Sequence, residues 1–416
     1  MINIVKGTKD ILPNDSFKWQ FVEDAFKKTA FEYGFKEIRT PLIEHTDLFE
    51  RGIGDTTDVV NKEMYSFEIK GRNLSLKPEG TASVVRSFIE NKLYADVLPA
   101  KYFYITPCYR YENTQMGRQR EFHQFGIEVF GSSKMSADAE VISIADRYLK
   151  KLGIKDLELR INSIGCPNCR SEYRKALQDF FRPHFDELCD TCKDRFEKNP
   201  MRILDCKNPK CKELGKGAPS ILDYLCDDCR NDFETLKTNL DALDIQYTVD
   251  PGIVRGLDYY TKTAFEFVTT RLGAQGTVCG GGRYDNLVSQ LGGPETAAVG
   301  FGLGIERLLM LLDEEGIEIE KPETCDLFIA SLGENAKLKA LKLANEMRDK
   351  GFNVIIDLCE RSLKGQLKYA DRLNARYCAV IGDDELERGV AAMRDMKKSS
   401  QEDVAFEDLE KYIKQE

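Results

Sequence analysis

No apolar run in this chain of 416 residues approaches the roughly 20 needed to span a bilayer. The opening residues, Met1 to Ser16, lack the apolar core of a secretion signal. Both absences point to the cytosol and to no membrane partner. An excess of positive charge is missing as well: 60 Lys and Arg face 70 Asp and Glu, a net charge of −10. That balance excludes coating of nucleic acid through bulk charge and leaves only a local basic patch. Histidine is scarce, three in all, and none stands inside a cysteine pair. What is present, 42% hydrophobic and 31% charged residues, describes a globular chain. Its length suits about two to four domains and a large core.

Thirteen cysteines are many for a reducing compartment, but eight of them fall in one stretch as close pairs. The pairs are Cys166 with Cys169, Cys189 with Cys192, Cys206 with Cys211, and Cys226 with Cys229. A two-residue spacer lets both thiolates of a pair reach one tetrahedral ion, and two pairs fill four positions around Zn²⁺. Disulfides are disfavoured without export. A structural zinc site is therefore expected, with free thiols on a small insertion as the competing reading. The four pairs combine into two Cys₄ sites in three ways, and the sequence does not choose among them. A catalytic zinc is disfavoured, because all-thiolate sites are usually closed.

The first helix is expected from about Asn14 to Tyr33, capped by Asn-Asp-Ser, with Trp19, Val22, Phe26 and Ala30 on one face and Gly34 as its stop. Short β runs follow at 73–76 and 101–112. A further run at 121–130, after a polar loop, completes an antiparallel hairpin. In that second strand Phe125, Ile127 and Val129 point to the core. Gln124, Gly126 and Glu128 point the other way, with open space over the glycine between two polar groups. Such a face suits a pocket floor as well as it suits solvent. A helix around 137–152 leads into a cysteine-rich insertion at 163–248, after which glycine-rich β sequence resumes to Gly304.

Beyond Pro322 the pattern changes to strand (326–332), helix (336–350), strand (353–356), helix (361–374) and strand (377–381), a small α/β domain with a largely parallel sheet. At about 100° per residue, Arg361, Lys364, Lys368, Arg372 and Arg376 share one third of the second helix's circumference, opposite Leu363, Leu367, Ala370 and Leu373. This basic ridge is either a solvated face or a surface for a phosphate backbone.

Arg110-Tyr-Glu112, the loop, and then Arg118, Arg120, Phe122, His123, Gln124 and Glu128 resemble motif 2 of the class II aminoacyl-tRNA synthetases. Phe35 to Pro41 fits motif 1 of that class, and Gly300 to Arg307 fits motif 3. Arg255-Gly-Leu-Asp-Tyr259-Tyr260 and Gly281-Gly-Arg-Tyr284-Asp are similar to the two histidine signatures of the histidyl-tRNA synthetase family. Lys6 to Pro13, Leu76 to Thr81 and Phe122 to Gln124 are also similar to that family, and the similarity extends over nearly the whole chain.

The resemblance implies an α/β multidomain fold: a class II antiparallel sheet flanked by helices, an inserted small domain, and a C-terminal α/β anticodon-binding domain. It implies a catalytic core over residues 1–162 and 249–321, the insertion over 163–248 and the anticodon-binding domain over 325–416. The implied activity is that of a histidine–tRNA ligase. ATP, entering as its Mg²⁺ complex, and L-histidine form histidyl-adenylate, and the acyl group passes to tRNA(His). The family also implies a homodimer, with the motif 1 proline at its interface.

The implied catalytic cations are Arg110, Arg255 and Arg307, which answer charge on phosphoryl oxygens. ATP is assigned to these three with Glu112 and Phe122, the phenyl ring stacking on adenine. Glu79, Thr81 and Gln124 are assigned to the α-amino group. Glu128 and Tyr260 are assigned to the imidazole nitrogens, and Tyr259 and Tyr284 to the wall beside them. Asn113 and Gln115 in the motif 2 loop, and the ridge from Arg361 to Arg376, are assigned to tRNA.

Other features are set aside. Gly300-x-Gly302-x-Gly304 lacks the strand, loop and ribose-binding acid of a dinucleotide site. Lys134-Met-Ser136 lacks the histidine motif that would make it a class I synthetase signature. His45 and His184 are expected at the surface, His123 as a hydrogen-bonded structural residue, and Cys279 as small buried packing. A regulatory paralogue acting as a non-catalytic subunit would be expected to lose the Arg255–Tyr260 signature and the tail domain. A zinc-dependent nucleic-acid-binding protein would leave the histidine signatures unexplained.

Overall fold

The hairpin at the centre of the chain forms as its alternation requires. In the computed structural model, which describes residues 2–54, 57–273, 276–322, 325–398 and 400–414, strands Ala100–Tyr109 and Glu121–Phe130 pair antiparallel from Ala100 opposite Phe130 to Tyr109 opposite Glu121. They sit in an eight-stranded sheet. Its spatial order is Lys36–Glu37, Ala100–Tyr109, Glu121–Phe130, Ala298–Gly304, Thr277–Arg283, Thr261–Val268, Glu158–Ser163 and Thr248–Val249. The pairing is antiparallel except for the two short outermost strands, which run parallel to their neighbours.

One face of this sheet is packed dry. Phe125, Ile127 and Val129 meet Val22 and Phe26 of helix Pro13–Glu32 and Tyr148 of helix Met135–Lys151. The Phe26 and Phe125 rings stack at 4.4 Å. Buried aromatic and branched side chains of this kind contribute about 1.5–3 kcal/mol each. The first helix begins at Pro13, with Leu12 at its cap position and no side-chain capping bond. The expected Asn-Asp-Ser cap is therefore inside the helix: proline, whose fixed φ suits the first helical position, starts it earlier.

The other face carries the side chains expected to form the site. Phe122, Gln124 and Glu128 project there, but the expected open space over Gly126 is filled. The strand register sets Tyr104 opposite Gly126, and the Tyr104 ring occupies the position a Cβ at 126 would need. The glycine leaves room for a neighbouring ring rather than for a ligand.

Between strands Glu158–Ser163 and Thr248–Val249 the regular elements are helical. Helix Asp227–Ala242 is shared rather than separate, because Phe233, Leu236 and Leu240 join the core of the large sheet.

The chain divides into two compact units at Ile319 and Glu320. The second unit has a five-stranded sheet ordered Val354–Ile356, Leu327–Ser331, Tyr377–Ile381, Val390–Asp395 and Gln401–Ala405. The first three strands are parallel as expected. The antiparallel pair that completes the sheet lies in a stretch the sequence pattern did not resolve.

The basic ridge is shorter than expected. Helix Leu363–Arg372 is 10 residues long, and Asn374 turns left-handed behind it at φ 54°. Arg361 precedes the helix and pairs with Asp357, while Arg376 lies beyond it against the Tyr377 ring. Lys364, Lys368 and Arg372 remain as an exposed row.

Candidate active site

Glycines on the site face let charged side chains lie flat on the sheet. A Cβ at Gly280 would stand 2.6 Å from the Arg255 guanidinium, and one at Gly300 would overlap the Glu128 carboxylate. Any larger residue at either position would lift these groups off the floor.

Arg255 comes from an irregular segment after Val254 and crosses this floor. It pairs with Glu266 and lies with its guanidinium carbon 5.2 Å from the Tyr260 ring centroid. Its side chain is 16% exposed, and its buried Nε has no hydrogen-bond partner among the described residues. A cavity of about 200 Å³ beside it is lined by Arg110, Glu112, Phe122, Gln124, Arg255 and Arg307, among others. Arg110 donates from Nε to the Pro78 carbonyl at 2.8 Å and lies 5.2 Å from the Phe122 ring centroid. Arg307 donates to the carbonyls of Gly117 and Thr277 at 3.0 and 2.9 Å. Burial and the neighbouring Arg118 guanidinium together lower Arg307 from its ordinary value. Three guanidiniums lining one cavity suit a bound polyanion.

Next to the cations lies a buried cluster of polar and aromatic side chains. Glu128 is fully buried and accepts from the Tyr284 hydroxyl and from the Tyr104 hydroxyl at 3.2 Å. Burial pushes its carboxyl up to about 8, although those hydroxyls and Thr81 pull it down. Glu79 accepts from the amides of Thr81 and Ala82 at 3.0 and 2.7 Å, so it also caps helix Thr81–Glu90. The Tyr259 hydroxyl donates to Glu79 at 3.3 Å, and burial raises that carboxyl too. The rings of Tyr259 and Tyr260 lie 4.6 Å apart, and those of Tyr259 and Tyr284 5.6 Å. Gln124 accepts at Oε1 from the Gly80 amide at 3.2 Å and from the Cys108 thiol at 3.4 Å.

The structure brings together all twelve residues expected to serve histidine and ATP: Arg110, Glu112, Phe122, Gln124, Arg255 and Arg307 line the cavity, Glu79, Thr81 and Glu128 lie in the adjoining buried cluster, and Tyr259, Tyr260 and Tyr284 form its aromatic wall. Three contributors had escaped the sequence reading. Tyr104 reaches Glu128 only because of its register opposite Gly126. Glu266 balances Arg255, and Cys108 holds Gln124. Alternation along strand 100–109 puts Tyr104 and Cys108 on one face and was the available signal. His123 is structural as expected, its backbone N–H and Nδ1 both within hydrogen-bonding reach of Glu306, with Trp19 edge-on at 5.0 Å. Asn113 and Gln115 are exposed in the loop, where Gln115 bridges Arg118.

The eight paired cysteines gather into two groups of four: Cys166, Cys169, Cys226 and Cys229, and Cys189, Cys192, Cys206 and Cys211. Within each group the sulfurs lie within 4.8 Å of one another. Cys166 is 3.5 Å from Cys169 and 4.0 Å from Cys226, and Cys189 is 3.9 Å from Cys206. A tetrahedral ion with bonds of about 2.3 Å to sulfur separates its ligands by about 3.8 Å, so both sets fit. Cys166, Cys189 and Cys226 each precede the first residue of a helix, where a thiolate meets the positive end of the dipole. The Cys226 amide donates to Cys169 Sγ at 3.1 Å, and the Cys189 amide to Cys211 Sγ at 3.3 Å.

A family model described as histidyl-tRNA synthetase matches residues 7–181 and 207–308, and one described as an anticodon binding domain matches 326–416. Cys189, Cys192, Arg202 and Cys206 fall between the two blocks of the first. Among curated relatives, the histidine–tRNA ligase of Clostridium novyi (strain NT) is 57% identical over 410 residues, covering 98% of each chain. The corresponding ligase of Caldanaerobacter subterraneus subsp. tengcongensis has the same identity and coverage. The apo histidyl-tRNA synthetase of S. aureus, a solved structure, is 42% identical and covers all of both chains with a TM-score of 0.85.

Proposed function

This chain belongs to the histidyl-tRNA synthetase family, a histidine–tRNA ligase, and from that premise we propose how its residues divide the two-step reaction. A carboxylate oxygen of histidine attacks the α-phosphorus of ATP, pyrophosphate leaves, and histidyl-adenylate remains. A terminal ribose hydroxyl of tRNA(His) then attacks the acyl carbon and releases AMP. Neither step needs a protein nucleophile. Alignment and stabilisation of phosphoryl charge carry the catalysis.

Arg110 and Arg255 hold the α-phosphate from two sides, and Arg307 holds the rest of the nucleotide, with Phe122 under adenine and Glu112 paired to Arg110 and Arg118 at the cavity's edge. Mg²⁺ enters with ATP. Glu79 and Thr81 receive the ammonium group. Gln124 is expected at the ammonium group too, but its oxygen is engaged by the Gly80 amide and the Cys108 thiol, so its amide N–H groups donate to the substrate carboxylate instead. Glu128 and Tyr260 read the imidazole against Tyr259 and Tyr284. The observation that carries this assignment is the cavity shared by Arg110, Arg255, Arg307 and Gln124, with Glu128 buried beyond Gln124 on the same strand face.

Catalytic core 1–162 with 249–321, insertion 163–248 and tail 325–416 are the proposed functional divisions, in the cytoplasm. Each Cys₄ group holds a structural Zn²⁺ that closes a polar insertion of small core. A homodimer is supported by the exposed apolar side chains of Leu42 and Ile43 after motif 1, and a monomer at micromolar concentration in sedimentation would contradict it. Asn113 and Gln115 face the acceptor end of tRNA, and Lys364, Lys368 and Arg372 face its anticodon arm.

The test is charging of tRNA(His) with labelled histidine. We expect histidine alone to be transferred, and expect Lys364→Glu with Lys368→Glu to raise KM for tRNA without changing adenylate formation. Folded protein that charges no tRNA(His) would overturn the assignment.

A further inference from the structure

The segment that carries Arg255 has no regular structure between Gly252 and Tyr260, so its position depends on what grips it. The core holds it through Asn162 Nδ2, which donates to the Ile253 carbonyl at 3.1 Å, the Asp258 amide, which donates to the Ile53 carbonyl at 3.0 Å, and the Tyr259 hydroxyl, which donates to Glu79 at 3.3 Å. Only the second of these lies between Arg255 and Asp258. Three more come from one short stretch of the insertion. Arg202 donates from Nη2 to the Gly256 carbonyl at 2.6 Å and from Nε to Asp258 Oδ1 at 3.2 Å. Asn199 Nδ2 donates to the same oxygen at 3.2 Å.

Arg202 is 7% exposed and sits on the single turn Pro200–Ile203. That turn lies inside the loop closed by the second cysteine group, between Cys192 and Cys206. Arg195 in the same loop ties the turn further, donating to the Arg202 carbonyl at 3.2 Å and to Asp58 at 3.0 Å. The loop contributes few large apolar side chains to any core, Phe196, Met201 and Ile203 among them. A metal–thiolate bridge is the strongest constraint available to it.

We infer that the metal centre formed by Cys189, Cys192, Cys206 and Cys211 positions the adenylate-forming arginine: it fixes the Pro200–Ile203 turn, and Arg202 on that turn holds Gly256 and Asp258 so that Arg255 lies flat on Gly280. Arg202 is a positioning residue, acting through the backbone and carboxylate of the Arg255–Asp258 segment. The inference rests on the reading of the cysteine groups as zinc sites. It assigns the two groups different work: the first, from Cys166 to Cys229, joins the starts of two helices, and the second governs catalytic geometry. A displacement of about 1 Å in a catalytic group lowers rate by about 10²-fold, so the coupling is measurable.

The experiment compares full-length wild type, Arg202→Ala, Arg202→Lys, Cys206→Ser with Cys211→Ser, and the combination of Arg202→Ala with both cysteine changes. Zinc content, thermal unfolding and histidine-dependent pyrophosphate exchange are measured on each, with rates normalised to the adenylate burst. Wild type should hold two zinc ions. Arg202→Ala should keep both and unfold as wild type does, yet lose about 10–100-fold in kcat with KM for histidine nearly unchanged. Lysine should restore part of that rate, because it supplies the charge without the fork. The cysteine pair variant should hold one zinc and show a similar loss, and the combined variant should lose no more, since both changes release the same segment.

If the cysteine variants do not fold, Asp258→Asn, which leaves all cysteines intact, should lower kcat in the same way. Full kcat in Arg202→Ala with two zinc ions bound would overturn the inference alone. Wild type without zinc would overturn the metal reading and the inference with it.

Discussion

Arg255→Ala should fold and bind zinc like wild type and lose about 10²–10³-fold in kcat for histidine-dependent pyrophosphate exchange. Arg255 touches the cavity where the pentacovalent phosphorus would form, and its Nε is buried without a partner among the described residues. A donor preorganised in this way gains most when negative charge accumulates on the phosphoryl oxygens, and least in the ground state. The deficit should therefore fall on kcat. Removing the cation also strands Glu266, which is 23% exposed, and a second substitution, Glu266→Gln, should relieve any loss of stability without restoring rate. Arg255→Lys should recover only part of the activity, because an ammonium group on a flexible stem cannot span Glu266 and a phosphate together. Steady-state exchange with each variant checks this, and a loss confined to KM would assign Arg255 to ground-state binding.

Glu128→Gln should lower kcat/KM for histidine by about 10–100-fold, the range of a hydrogen bond to a charged partner. It should also leave ATP binding nearly unchanged. The same substitution should alter how the ligand-free protein responds to pH. Burial raises the folded carboxyl to about 8 from an ordinary 4.5, so between these values the folded state holds a proton that the unfolded chain has released. Stability falls across this window as pH rises, because folding must retain that proton or bury the anion. Its contribution is complete below about pH 4.5 and lost by about pH 8. The glutamine variant removes this dependence. Relative to wild type it should gain about 2–4 kcal/mol between pH 5 and pH 9, read from thermal unfolding without ligand. Bound histidine should abolish the difference by donating a ring N–H to the carboxylate. Parallel pH profiles for the two proteins would mean that Glu128 is ionised in the ligand-free protein.

What the sequence revealed follows from periodicity and from residue chemistry. Strand alternation put Gln124 and Glu128 on one face and Phe125, Ile127 and Val129 on the other, because a buried face cannot slip by one residue without exposing all of its side chains. Helices with sustained apolar stripes were legible to within a few residues.

The rest depended on contacts distant in the chain. Tyr104 fills the space over Gly126 only once the hairpin register is set. The cysteine pairs can be grouped only when the helices between them have folded, since each pair alone fits any other. Nothing in the sequence pattern marks Glu266 or Arg202. Each acquires its role from Arg255 or Asp258, 11 and 56 residues away along the chain. The ridge at 361–376 was overextended because periodicity does not register a left-handed Asn374 or the pull of Asp357 on Arg361.

The central claim, that this cavity makes histidyl-adenylate, is tested most directly by exchange of labelled pyrophosphate into ATP with each amino acid in turn. Exchange driven by histidine and by no other amino acid is the predicted result. Folded wild-type protein that exchanges no label with histidine, or that exchanges equally with several amino acids, would contradict it.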